Sequence, residues 1–169
     1  MTFMLHEVVT LTPADQPNWR RLRLEALESY PAAFLTTAGE QRARPASVDR
    51  AALSGGNWRG LYHEREMIGI GALIPMQQEA CAHRMQIGAF YVVEAHWGSG
   101  AAQVFLDALI TEARKRGAGQ LELSVAADNP RAIRFYERNG FERYGTQPRA
   151  VILDGVAQDD FFYVRMLDR

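Results

Sequence analysis

The chain has 169 residues, 47% hydrophobic and 23% charged, and its 19 basic and 20 acidic side chains leave a formal net charge of −1. This length and balance fit one globular domain (residues 1–169) with a buried core. They exclude a disordered or collagen-like chain and a nucleic-acid binder that relies on an overall basic field. The elements can then be read in chain order.

Leu5 to Thr10 is strand-like, and Thr12 with Pro13 marks a helix start ahead of Trp19, Leu22, Leu24 and Leu27. Pro31 ends that helix. The polar segment from Gly39 to Leu53 holds a second helix, interrupted or begun near Pro45, before the loop Ser54-Gly55-Gly56-Asn57. Trp58 to His63 and Met67 to Ile74 form a hairpin, and Arg84 to Val93 is the longest strand expected. Ala101 to Arg116 carries a helical apolar stripe at Phe105, Leu106, Leu109, Ile110 and Ala113, closed by Gly117. Leu121 to Val125 is a strand, Asn129 to Asn139 a helix stopped by Gly140, and Phe141 to Gly145 a strand. An ill-defined stretch follows, then a turn at Asp154-Gly155 and a last strand from Phe161 to Leu167. The sum is an α/β (α+β) fold, a mixed sheet of six or seven strands with about four helices on its faces.

Between the strand ending FYVV and the helix starting AAQVF the chain reads WGSGAA, Trp97 to Ala102. A glycine-rich strand-to-helix junction aims consecutive backbone N–H groups and the positive end of a helix dipole at one point, which suits a phosphate. The same small residues also suit a tight connector, and the turn alone decides neither. A P-loop is excluded because no Gly-Lys-Ser/Thr follows. A dinucleotide fingerprint lacks its third glycine and would precede, not follow, several strands.

After the helix comes LELSVAADNPRAIRFYERNGF, Leu121 to Phe141. Together the two stretches resemble the GNAT superfamily of acetyl-CoA-dependent N-acyltransferases. The family's first signature, Gln/Arg-x-x-Gly-x-Gly/Ala after a strand, falls on Trp97, Gly100 and Ala102. Its second, an Asn, then Ala, then Tyr, ending in Gly-Phe, falls on Asn129, Ala132, Tyr136, Gly140 and Phe141. Trp97 departs from the pattern, standing where Gln or Arg is usual. Because the turn works through backbone N–H groups, this departure is expected to alter packing beside a pyrophosphate more than to abolish binding. The RLRLEALESYPAAF start and the LDG…M ending also look like small bacterial-type members.

The resemblance implies that acetyl-CoA lies in a V-shaped gap between two splayed parallel strands, here those ending at Val93 and Val125. Phe90, Tyr91, Val92 and Val93 would lie along the pantetheine arm, with backbone groups of Phe90 and Val92 holding the amide and thioester. Trp97, Gly98, Ser99, Gly100, Ala101, Ala102 and Gln103 would surround the pyrophosphate, the N–H groups of Gly98, Gly100, Ala102 and Gln103 donating to it. The acceptor amine would attack the thioester carbonyl directly, and the backbone N–H near Phe90 would meet the developing oxyanion. Tyr136 is the candidate acid for the leaving thiolate, since a phenol with a pKa near 10 is protonated at pH 7; core packing is its bland alternative. Asn129 would touch coenzyme A and also suits a helix N-cap ahead of Pro130.

No general base is evident. Gln86 stands where family members with an assigned carboxylate carry it, and His83, Glu79 and Glu122 are the ionisable groups nearby. The resemblance places the acceptor pocket near residues 30–38 and 146–162, with Phe34 and Tyr163 as lining or packing residues. The acceptor would be a small-molecule or peptide amine, with neither nucleic acid nor membrane as partner; a homodimer is compatible with the sequence. The single cysteine, Cys81, belongs to no disulfide or metal-type spacing, so no metal is expected. The first residues, MTFMLHEVVTLTP, lack a leader pattern, which makes the cytoplasm the expected location. A non-catalytic acyl-CoA-binding or sensing module is the alternative function, and another α/β nucleotide-binding protein the third.

Overall fold

The computed structural model describes residues 6–168. Strand β1 (His6–Thr10) leads through a 3-10 turn at Pro13–Asp15 into α1 (Gln16–Ser29). The start expected at Thr12 is built as a capping box, Thr12 N donating to Asp15 Oδ2 at 2.7 Å. Leu5, read as part of the first strand, lies outside the described residues.

The polar segment after Gly39 makes two helices, α2 (Ala38–Ala43) and α3 (Ala46–Ser54). A residue before proline avoids the α region, and Arg44 accordingly turns to φ −70°, ψ 127° ahead of Pro45, the N-cap of α3. The described residues therefore hold five α-helices where about four were expected. Buried Asp49 of α3 ties this corner together, accepting from Gln16 Nε2 at 3.2 Å, from Gln41 Nε2 at 3.0 Å and from Arg20.

The remaining elements are β2 (Trp58–His63), β3 (Glu66–Pro75), β4 (Arg84–Val92), α4 (Ala101–Lys115), β5 (Gln120–Ala126), α5 (Pro130–Arg138), β6 (Glu142–Leu153) and β7 (Val156–Met166). The stretch left undefined by sequence belongs to β6. A bulge between Gln147 and Val151, with Arg149 at φ 51°, breaks its two-residue alternation and accommodates Pro148.

The strands form a seven-stranded sheet in the order β1-β2-β3-β4-β5-β7-β6, antiparallel except for the parallel pair β4–β5. The core divides between its two faces. Phe105, Leu106, Leu109 and Ile110 of α4 pack with Ile68 and Leu73 of β3 on one; Trp19, Leu22 and Ala26 of α1 pack with Met67 and Ile70 of β3 on the other. With both faces covered, β3 reads as a nearly continuous apolar run. No helix among the described residues is long and apolar enough to cross a membrane.

Candidate active site

The parallel pairing of β4 with β5 is short: Arg84, Met85 and Gln86 face Gln120, Leu121 and Glu122. Beyond that point β4 follows β3 and β5 follows β7, so the two strands separate toward their C-terminal ends. A bulge helps to turn β4 away. Ile70 pairs with Tyr91 and Ala72 with Gly88, which leaves Ala89 and Phe90 together opposite Gly71, with Ala89 at φ 49°. The expected V-shaped gap is therefore present. Arg84 closes its narrow end, donating to Glu122 from Nε at 2.5 Å and from Nη2 at 2.8 Å.

Beyond β4, a 3-10 turn at Glu94–His96 leads to Trp97 and the head of α4. Gly98 and Gly100 adopt φ 75° and 89°, left-handed values that suit glycine, and a Cβ at either would meet nothing within 4 Å. The backbone N–H groups of Trp97 and Ser99 return to Glu94 O and His96 O, and that of Ala101 donates to Ser99 Oγ at 3.3 Å. Those of Gly98, Gly100, Ala102 and Gln103 have no hydrogen-bond partner among the described residues. Four free donors in an open cradle at a helix N-terminus fit a pyrophosphate.

Tyr136 of α5 is 7% exposed, its ring packed against Phe90, Phe135 and Phe141 at centroid distances of 6.2, 5.2 and 5.6 Å. Its hydroxyl has no hydrogen-bond partner among the described residues, and burial pushes the phenol well above its ordinary pKa, keeping it protonated. Asn129 is the N-cap of α5, its Oδ1 accepting from Ala132 N at 3.1 Å. Trp97 packs as a wall, its Nε1 donating to Val92 O at 2.8 Å.

A family model for the acetyltransferase (GNAT) family matches residues 19–141, a span that includes both splayed strands and the glycine turn. The chain belongs to the GNAT family. Uncharacterized N-acetyltransferases of Mycobacterium bovis and Mycobacterium tuberculosis are 29% identical over 105 residues, a match spanning 62% of this chain and 64% of theirs. Among solved structures, the ribosomal-protein-alanine N-acetyltransferase of Brucella melitensis superposes with a TM-score of 0.79 at 24% identity, covering 95% of this chain and 99% of that one. The yncA protein of Salmonella typhimurium, solved with its cofactor acetyl-CoA, gives a TM-score of 0.83 at 19% identity over 97% and 95% of the two chains. These two likenesses carry the fold.

On the α1 face of this GNAT sheet, a cavity of about 580 Å³ opens into the gap. Gly88, Ala89, Leu123 and Ser124 line it from the splayed strands, and Phe34, Leu35 and Thr36 from the segment after α1. Phe34 and Gln86 border it, whereas Tyr163, read from the sequence as a lining or a packing residue, packs. Successive strand residues point to opposite faces, so Phe162 lines the cavity while Tyr163 turns under the sheet, 1% exposed, and donates to Glu137 Oε1 at 3.0 Å. The β6–β7 hairpin lines a second cavity of about 490 Å³ with Ala32, Ala127 and Asp128.

The ionisable groups singled out by sequence divide clearly. Glu122 reaches the first cavity, but hydrogen bonding to Arg84 holds its carboxyl below the ordinary range. Glu79 and His83 are exposed in the segment ahead of β4, whereas the gap opens at the strand's other end. Of two residues passed over in the sequence, Arg23 lines the cavity and Asp160 lies two positions from Phe162 on the same strand. Asp160, 8% exposed, pairs in register with Ala126 at the open end of β5, and burial pushes its carboxyl above the ordinary range. Arg23 lines the cavity from α1; a basic residue inside the apolar row Trp19, Leu22, Ala26 and Leu27 was the signal available for it.

Proposed function

We propose that the chain is an N-acetyltransferase that moves an acetyl group from acetyl-CoA to a primary amine. What carries this reading is the pairing of the β4–β5 gap with four free N–H groups at the head of α4. Gly98, Gly100, Ala102 and Gln103 hold the pyrophosphate, and the edge of β4 from Phe90 to Val93 receives the pantetheine amides in the manner of an added strand. The Phe90 N–H, beside a bulge in which neither Ala89 nor Phe90 has a register partner, donates to the thioester oxygen as negative charge develops there.

Tyr136 then supplies a proton to the departing sulfur. Its raised pKa keeps the proton available at every working pH, and the free hydroxyl is not committed elsewhere. On the acceptor side, Asp160 takes a proton from the incoming ammonium. A carboxyl raised by burial is a better acceptor near neutral pH than Glu122, which Arg84 holds low.

One observation favours the alternative, a non-catalytic acyl-CoA-binding module: Gln86 occupies the position of the usual family carboxylate. Release of free thiol from acetyl-CoA across a panel of primary amines separates the two. Amine-dependent release supports the enzyme; tight acetyl-CoA binding with no release beyond background hydrolysis supports the module.

A further inference from the structure

Arg23 is a buried cation without an anion among the described residues. It is 9% exposed, its Nη1 is buried with no hydrogen-bond partner, and the guanidinium stands 5.3 Å from the Phe34 ring centroid and 6.0 Å from that of Trp58. Glu122, the acid on the same cavity wall, is committed to Arg84. Burial, with the neighbouring charge of Arg44, lowers Arg23 to about 10, which still leaves it protonated at neutral pH. An uncompensated buried charge destabilises a fold, so its presence at the wall of a cavity calls for a ligand.

We propose that Arg23 receives a carboxylate of the acceptor, which makes the acetylated amine that of a small amino acid or a similar carboxylate-bearing amine. This rests on the acetyl-transfer reading above. The planar guanidinium fork matches a carboxylate in two parallel hydrogen bonds, and Phe34 and Trp58 hold its plane. The same cavity reaches Ala89 and Ser124 at the gap, so one short molecule can place its carboxylate at Arg23 and its amine at the thioester. The amino terminus of an intact protein carries no α-carboxylate, since that group is tied up in the first peptide bond.

The test compares α-amino acids with their carboxamides. Wild type should favour the acids by about tenfold or more in kcat/KM, the worth of a charge-assisted hydrogen bond. Arg23→Gln should bring the ratio near one, and Arg23→Lys should retain part of it. Equal rates for acid and amide, or an unchanged ratio in Arg23→Gln, would overturn the proposal. Arg23→Met should melt no lower than wild type; a large loss would reveal a structural partner and overturn it too. If no amine supports turnover, the acetyl-transfer reading has failed, and binding of N-acetyl amino acids against their amides to the coenzyme A-saturated protein still reads the subsite. A preference for the acid that Arg23→Gln abolishes supports it, and no preference overturns it.

Three of the four histidines also converge. His6 and His63 are register partners on β1 and β2, and His96 comes from the 3-10 turn ahead of the glycine loop. One ring nitrogen of each lies within 4.8 Å of the other two, and His6 Nε2 is buried without a hydrogen-bond partner among the described residues. The geometry points to a three-imidazole site for a divalent transition metal such as zinc, with solvent as fourth ligand. Zinc–nitrogen bonds of about 2.0–2.1 Å set tetrahedral nitrogens about 3.3 Å apart, a contraction that side-chain rotation supplies. Bound metal would join the β1–β2 edge to the turn whose His96 carbonyl accepts from Ser99 Oγ at 2.6 Å.

Zinc chloride titrated into untagged protein by calorimetry should bind with one-to-one stoichiometry, and cobalt(II) should give the absorption of a low-symmetry nitrogen site. His96→Ala and His63→Gln should each weaken binding at least about tenfold, while His83→Gln leaves it unchanged. Absence of saturable binding, or an equal loss in His83→Gln, would overturn the assignment.

Discussion

The guanidinium carbon of Arg131 lies 3.1 Å from the ring centroid of Trp97, and the indole Nε1 of Trp97 donates to Val92 O. The contact joins the first turn of α5 to the loop that follows β4, and so links the two sides of the gap. A partly desolvated cation–π pair is worth about 1–2 kcal/mol. Replacing Trp97 with Ala should lower both Tm and acetyl-CoA affinity. The indole also reports on the site. In a Trp58→Phe background, which removes the indole at the cavity wall, acetyl-CoA should change intrinsic fluorescence and Trp97→Phe should lose most of that change, since Trp19 is buried in the α1 core. A full signal in Trp97→Phe would place the coenzyme elsewhere.

At Gly100 the left-handed φ of 89° and the open space at its Cβ position constrain the same turn. Gly100→Val adds about 1–2 kcal/mol of backbone strain and puts a branched side chain where the phosphate approaches. Calorimetry on the folded variant should show acetyl-CoA affinity reduced by at least about tenfold, whereas wild-type affinity would reduce the turn to a connector.

For Tyr136, substitution by Phe removes one hydroxyl and keeps the ring contacts with Phe90, Phe135 and Phe141. Turnover should fall by about 100-fold to 10,000-fold with coenzyme affinity and Tm nearly unchanged. Thiol release measured under conditions where chemistry limits the rate is the check; an equal rate in both forms would leave Tyr136 a core aromatic.

Asp160 should trade stability for activity. Its folded pKa is raised by burial above the unfolded value of about 3.9, so its contribution to stability is present below that value and is lost as pH rises through the folded pKa. Asp160→Asn should therefore gain in Tm over wild type as pH is raised from 4 to 7, while the acidic limb of the kcat/KM profile disappears and the rate at neutral pH falls. A variant with wild-type rate and pH profile would remove Asp160 from the reaction.

The geometry of the glycine turn was legible in the sequence because it is carried by local backbone preference. WGSGAA fixes two left-handed residues and a helix start within six positions, and the free N–H groups follow from that alone. The N-cap at Asn129 and the apolar stripe of α4 were legible for the same reason, since each depends on near neighbours in the chain. The β6 bulge was not, because a register shift breaks the alternation on which a strand is read. The sequence leaves open whether Tyr163 lines the cavity or packs, for a related reason: one residue of parity separates the cavity side from the core side.

By itself, then, the sequence determined the order of most elements, the glycine turn and the family motifs, all set by short-range periodicity and backbone preference. Only the tertiary structure decided which polar groups meet and which are left alone. Arg23 is left unpaired while Arg84 takes Glu122, the carboxylate on the same cavity wall; Asp160 is raised because strand pairing buries it; and His6, His63 and His96 converge because a strand register and a turn bring them together. Charge pairing and desolvation depend on distances in space, which residues far apart in the chain acquire only when the sheet is assembled.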